Sequence, residues 1–164
     1  MAFILSKERD GSAADATRSF QNYRRFLHEN ERRFPPGAFS LVTSDWYYGA
    51  SDHRAPHDAW LEWFRLEEVA SGDRQQIRHL SLRIRLLGAY HDAHLEFYYP
   101  KVHAYTLDNL NGDEGHGDWR YDEFRLSEQG HLIHEIEWAG LPGIEARWLI
   151  EAADVEFTVH PCNS

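Results

Sequence analysis

The chain has one cysteine, Cys162, so no intramolecular disulfide can form and nothing marks an oxidising compartment. Long hydrophobic runs are also missing. Strongly charged residues interrupt every apolar stretch well before the ~20 residues that a membrane-spanning helix needs. The short apolar run 1–5 lacks a basic start, a long apolar segment and a small-residue cleavage site, so no signal peptide is expected and the expected address is the cytoplasm. Basic charge is scarce. Lys and Arg number 17 against 27 Asp and Glu, a formal charge of −10, and no basic stripe opposes it. Such a field repels phosphate backbones, so nucleic acid is not an expected partner, whereas a basic protein is. No Gly-x-Ser-x-Gly elbow, glycine-rich phosphate loop or dinucleotide fingerprint occurs, and Cys162 falls in an expected tail, which leaves nucleophilic and nucleotide chemistry without support.

What is present suits a globular core. With 42% hydrophobic and 14% aromatic residues in 164, the sequence fits one domain, 1–164. A domain of that size buries roughly 70% of its unfolded surface and needs no metal or disulfide merely to fold. The 11 histidines make the charge conditional, since protonating all of them moves the net charge from −10 to about +1. Poor solubility near the sequence pI of 5.5 is therefore expected.

Residues 12–34 are predicted as a helix. Phe20, Tyr23, Leu27 and Phe34 follow three- and four-residue steps, Ser12 is the candidate N-cap, and Pro35-Pro36-Gly37 is the expected stop. The period then changes to two. Phe39, Leu41 and Thr43 alternate as a first strand. A second is expected over 59–69, with Trp60, Phe64 and Leu66 on one face and Leu61 and Trp63 on the other. The third sets Leu80, Leu82, Ile84 and Leu86 against Ser81, Arg83 and Arg85. The fourth runs over 93–99. Pro100 then allows either a type I turn or a bend in one long edge strand, with 103–107 continuing in β. Short strands follow over 119–126, 132–138, 144–150 and 155–159. The pattern predicts a mainly β fold across 38–159: an antiparallel sandwich or a partly open barrel of about eight strands, with the N-terminal helix covering one sheet face or plugging a barrel end.

One echo stands out. The octet His57-Asp58-Ala59-Trp60-Leu61-Glu62-Trp63-Phe64 repeats in outline as His91-Asp92-Ala93-His94-Leu95-Glu96-Phe97-Tyr98. If the intervening strands form a meander, both octets start at one end of the sheet, about 10 Å apart. A hairpin at Pro100 would add Glu114, His116 and Asp118. Convergent His and carboxylate groups can bind a divalent metal such as Zn²⁺ or transfer protons, so His57, Asp58, His91, Asp92, Glu114, His116 and Asp118 are the candidate metal residues. No zinc spacing is present, and structural or solvated roles are the stronger expectation. The loop 109–114 resembles a calcium loop less than a polar turn, with Glu114 where the required glycine should be. Asp122 and Glu123 are adjacent on a strand and point to opposite faces, poor geometry for a carboxylate pair.

The six tryptophans are expected to fill the core, with a barrel lined by Trp and Tyr as the alternative home for a small apolar ligand. The segments Pro56-His57-Asp58-Ala59-Trp60-Leu61-Glu62, Leu86-Leu87-Gly88-Ala89-Tyr90-His91-Asp92 and His131-Leu132-Ile133-His134-Glu135-Ile136 resemble a loose group of uncharacterised, small, β-rich bacterial proteins. Some similar proteins accompany contact-dependent toxins as immunity proteins; the resemblance implies no catalytic residues. The leading expectation is a non-enzymatic, cytoplasmic binding protein whose acidic rim meets a basic protein. A metal-dependent enzyme using the His and carboxylate rim comes second, and a small-ligand carrier third.

Overall fold

Ser12 opens the first helix as its sequence predicts: its hydroxyl accepts the Asp15 backbone N–H at 3.2 Å, and α1 runs over Ala13–Asn30. The computed structural model that carries this detail describes residues 1–143 and 145–162. α1 buries Ser19, Tyr23 and Leu27, a stripe in four-residue steps. A 3₁₀ turn over Glu31–Arg33 follows.

The stop at Pro35-Pro36 does not release the chain into a strand. Pro36 instead takes the first position of a second helix, α2 (Pro36–Val42), where its missing N–H would be unbonded anyway. The strand expected through Phe39, Leu41 and Thr43 is therefore helix, and residues 46–48 lie in turns. The cause is a long-range cap. Pro35 supplies no side-chain acceptor, so the Asp154 carboxylate, 116 residues from Ala38, accepts the N–H groups of Gly37 (3.0 Å) and Ala38 (2.9 Å).

Seven antiparallel strands make the rest: β1 (Trp60–Ser71), β2 (Ile77–Leu87), β3 (Ala93–Leu107), β4 (Asp118–Leu126), β5 (Leu132–Ala139), β6 (Glu145–Ala152) and β7 (Glu156–Pro161). In the order β1-β2-β3-β6-β5-β4 they form a ring. It closes through one bridging pair, Trp60 with Asp118, and β7 lies beside β3. The fold is thus mainly β and a partly open barrel, not a sandwich. Two expected strands are absent as separate elements, 39–48 and 103–107; the latter belongs to β3. Of the expected strand 144–150, Ile144 lies outside the described residues.

Pro100 is the bend, not the turn. It sits where β3 changes neighbours, β7 covering 93–98 and β6 covering 102–107, and where the β2 ladder slips between Leu80 and Leu82. A residue without an N–H is tolerated at such an irregularity. A second slip corrects the face assignment of β1. One extra residue between Leu61 and Trp63 puts Leu61 opposite Leu86 on the inner face, with Phe64 and Leu66, and leaves Trp60 outside with Trp63.

Inside the ring Trp119, Trp138, Trp148, Phe97, Phe124 and Ile136 are fully buried and fill much of the barrel. The helical layer closes the open flank. The Tyr23 hydroxyl accepts the Phe124 N–H (2.7 Å) and donates to the Phe124 carbonyl (2.9 Å), satisfying the edge of β4 that β1 does not reach. The N-terminal segment covers the outer face of β4–β6. There Glu123 accepts the Phe3 and Leu5 N–H groups, and Glu137 is clamped between Arg9 and Arg147, each at 3.0 Å.

Candidate functional site

The two octets do start at a common margin, because β1, β2 and β3 form the expected meander. Trp60 is the hub of that margin. Its indole N–H donates to Asp118 (2.7 Å) and its ring packs on His91 (4.8 Å between centroids). Although Pro100 makes no hairpin, β4 begins here as well, through the Trp60–Asp118 bridge. The predicted residues share this rim, yet each is engaged separately. His57 donates through Nδ1 to the Arg120 carbonyl (2.5 Å), with Nε2 3.5 Å from Asp58. Asp92 reaches His53 (2.6 Å), whose ring lies flat on Tyr90 (3.9 Å). Glu114 ends a 3₁₀ turn, and His116 faces inward against Trp138 and Trp148, where burial lowers its pKa. Among the described residues, no group of three or more His, Cys, Asp or Glu is arranged to hold a metal ion.

The rim's backbone is constrained. Asp58 (φ 62°) and His91 (φ 58°) both occupy the left-handed region, which Asp and His tolerate better than most residues. The loop 109–114 is tied by its own amides. Asn109 bonds the Asn111 N–H and the Gly112 carbonyl, and buried Asn111 accepts the Leu141 N–H (2.6 Å). Those oxygens hold the turn.

Sequence reasoning missed a second polar cluster, buried inside the barrel. Asp122 accepts hydrogen bonds from the Tyr47 hydroxyl (2.8 Å) and the Trp119 indole (3.1 Å), and meets His134 Nε2 at 2.8 Å. His134 Nδ1 lies 2.6 Å from the Tyr99 hydroxyl, and Phe124 stacks on the imidazole at 3.9 Å. A proton on Nε2 lets every group in the chain donate toward Asp122 with nothing left over. Burial, reinforced by Asp122, raises the pKa of Tyr47 and Tyr99 well above the ordinary tyrosine value, so both keep their protons. The signal was in the sequence: His134 holds an inward position in the otherwise apolar alternation Leu132, His134, Ile136, Trp138. The adjacent acids Asp122 and Glu123 do point to opposite faces, as expected, but both are buried.

A concavity lies outside the barrel, between α1 and α2. This cleft of about 580 Å³ has an apolar floor of Phe20, Tyr23, Leu27, Val42 and Tyr48, with Arg24 and His28 on its lip. Comparison with protein-family models, curated proteins and solved structures returns no match.

Proposed function

We propose that this protein is a non-catalytic binding protein whose rim around Trp60 recognises a basic protein partner, in the manner of an immunity protein. The observation that carries the reading is the state of Trp60. It is 50% exposed, yet its ring packs on His91 and its N–H is held by Asp118, which together fix its orientation. An exposed, pre-oriented tryptophan loses little freedom on binding and is the residue type that dominates protein interfaces. Tyr90, exposed and stacked on His53, repeats the arrangement nearby. Asp58, Asp92, Asp118 and Glu114 surround these rings with negative charge, which speeds encounter with a basic surface and selects for it. The immunity-like role draws on the sequence resemblance and on the charge.

The test uses the whole chain as bait in native lysate, with captured proteins identified by mass spectrometry. The wild type should retain a basic protein that is released as salt is raised. Trp60→Ala, and separately the triple change Asp58→Asn, Asp92→Asn and Asp118→Asn, should lose it. Capture that ignores both salt and these substitutions would rule the rim out.

A second reading rests on the α1/α2 cleft. Arg24 and His28 stand one helical turn apart above its apolar floor, and the Tyr48 hydroxyl is buried within it. That arrangement suits an apolar molecule with an acidic head. Titration with oleate and with 1-naphthoate, followed by tryptophan fluorescence, should saturate for the wild type and weaken on Arg24→Ala. Flat traces would dismiss the cleft.

A further inference from the structure

Among the described residues, β1 past Trp60 has a strand on one side only. β2 pairs with it along its whole length, whereas β4 meets it at Trp60 alone. Such an edge leaves alternate backbone N–H and C=O groups available to another strand, and folded proteins guard against this with short edges, proline or bulges. β7, which also has one partner, is guarded: it has six residues and ends at Pro161. β1 has twelve, with neither proline nor glycine, and its bulge, between Leu61 and Trp63, lies at the end next to β4 and leaves 63–71 regular.

The charges along β1 indicate what fits there. Glu62 is bound to Arg85 (2.9 Å) and His94 (2.8 Å), and Glu68 to Arg78 (2.6 Å). Among the described residues, Arg65 and Glu67 form no ion pair. Arg65 lies over the Trp63 ring (5.6 Å) and directly opposite Arg83 of β2, a like charge that is unfavourable at that position.

We propose that β1 pairs with the β1 of a second copy of this chain, antiparallel, about a two-fold axis at Leu66. In that register Arg65 faces the partner's Glu67 and Glu67 faces the partner's Arg65, so the two unpaired charges of each copy find each other. Trp63 meets the partner's Val69. Phe64, 44% exposed, meets the aliphatic stem of the partner's Glu68. An axis at Arg65, Glu67 or Glu68 sets that residue against its own copy, and an axis at Phe64 leaves both charges without an opposite. The isologous geometry is the one most homodimers use. The pairing spans residues 62–70 and stops short of Trp60, so it does not depend on the rim reading.

Sedimentation velocity of the full chain over a concentration series tests this, with Arg65→Glu, Glu67→Arg and the double exchange. The wild type should dimerise reversibly. Each single reversal sets like charges across the axis twice and should weaken the dimer about tenfold or more. The double exchange recreates both pairs and should restore it. In a Cys162→Ser background, a short bismaleimide should join Leu66→Cys into a covalent dimer and leave Ala70→Cys monomeric. Circular dichroism confirms that each variant is folded, and the crosslink reads the register independently of the charge changes. A chain that stays monomeric at every concentration, a dimer indifferent to the single reversals, or a double exchange that fails to re-form it would each overturn the proposal.

Discussion

Asp122 and Asp92 are the same side chain, each next to a histidine, in opposite settings. Asp122 sits inside the barrel with every neighbour directed at it, and His134, its partner, is fully buried. Asp92 lies on the rim, bonded at 2.6 Å to a His53 that is itself half exposed. In water such a pair gains little, because the solvent screens it and serves both groups nearly as well. Inside, each donor aimed at Asp122 has no alternative acceptor, so the arrangement is all or nothing. A His–Asp pair therefore signals function no more than structure; what separates the two is whether anything else can reach it. The buried pair specifies the core, and the open one remains available to a partner.

The contrast is broken or kept by making one substitution in both places. Asp122→Ala strands the buried Tyr47 hydroxyl, Trp119 indole and His134 N–H without their acceptor, and should cost about 3–5 kcal/mol in urea unfolding. Asp92→Ala should leave the unfolding midpoint where it is. Equal losses would mean that the interior network is not sealed, or that the rim is structural. Glu137→Gln comes next. It removes the charge between Arg9 and Arg147, and should cost about 2 kcal/mol, the scale of a hydrogen bond to a charged group. The same unfolding series measures it.

How far the sequence reached follows from the range of each interaction. The N-cap at Ser12, the alternation of Leu82, Ile84 and Leu86, and the meander that brings both octets to one margin are set by neighbours in sequence, and they were legible. The helix at 36–42 was not, because its cap is Asp154. The face of Trp60 was not, because a single extra residue in β1 inverts a parity that alternation alone must assume. His134 was visible as a polar residue at an inward position, but nothing local identified Asp122, Tyr47 and Tyr99 as its company. They come from β4, the turn after α2, and β3, and only the closed ring brings them together.

Trp60→Ala sharpens the comparison from the rim side. The half-exposed ring supports little core, so stability should move by no more than about 0.5 kcal/mol. Capture of a basic partner should nevertheless fall at least tenfold, about 1.4 kcal/mol of binding. A substitution silent in unfolding and loud in binding is the signature expected of the rim. The reverse outcome would make Trp60 a closure residue for the ring.

The smallest effects concern pH, and they carry opposite signs in the two regions. Burial under the N-terminal segment raises the pKa of Glu123, although the Leu5 and Phe3 N–H groups and Arg125 pull it down. A group whose folded pKa lies above its unfolded one stabilises most below the unfolded value, ~4.3 for glutamate, and loses that contribution as pH rises through the folded value. Wild type should therefore lose ground to Glu123→Gln as pH climbs out of the acid range. At the edge of the rim, Arg54 holds the Asp52 carboxyl down to about 2. Its contribution is present above the ordinary aspartate range and lost as pH falls toward that value, so Asp52→Asn should trail the wild type near neutrality and converge with it in strong acid. Urea midpoints for the three proteins at a series of pH values read both slopes together. Solvent exposure of the Asp52–Arg54 pair makes its slope the shallower one. Slopes of the same sign would mean that the N-terminal segment does not shield Glu123 from water, and that the interior and the rim differ less than their geometry shows.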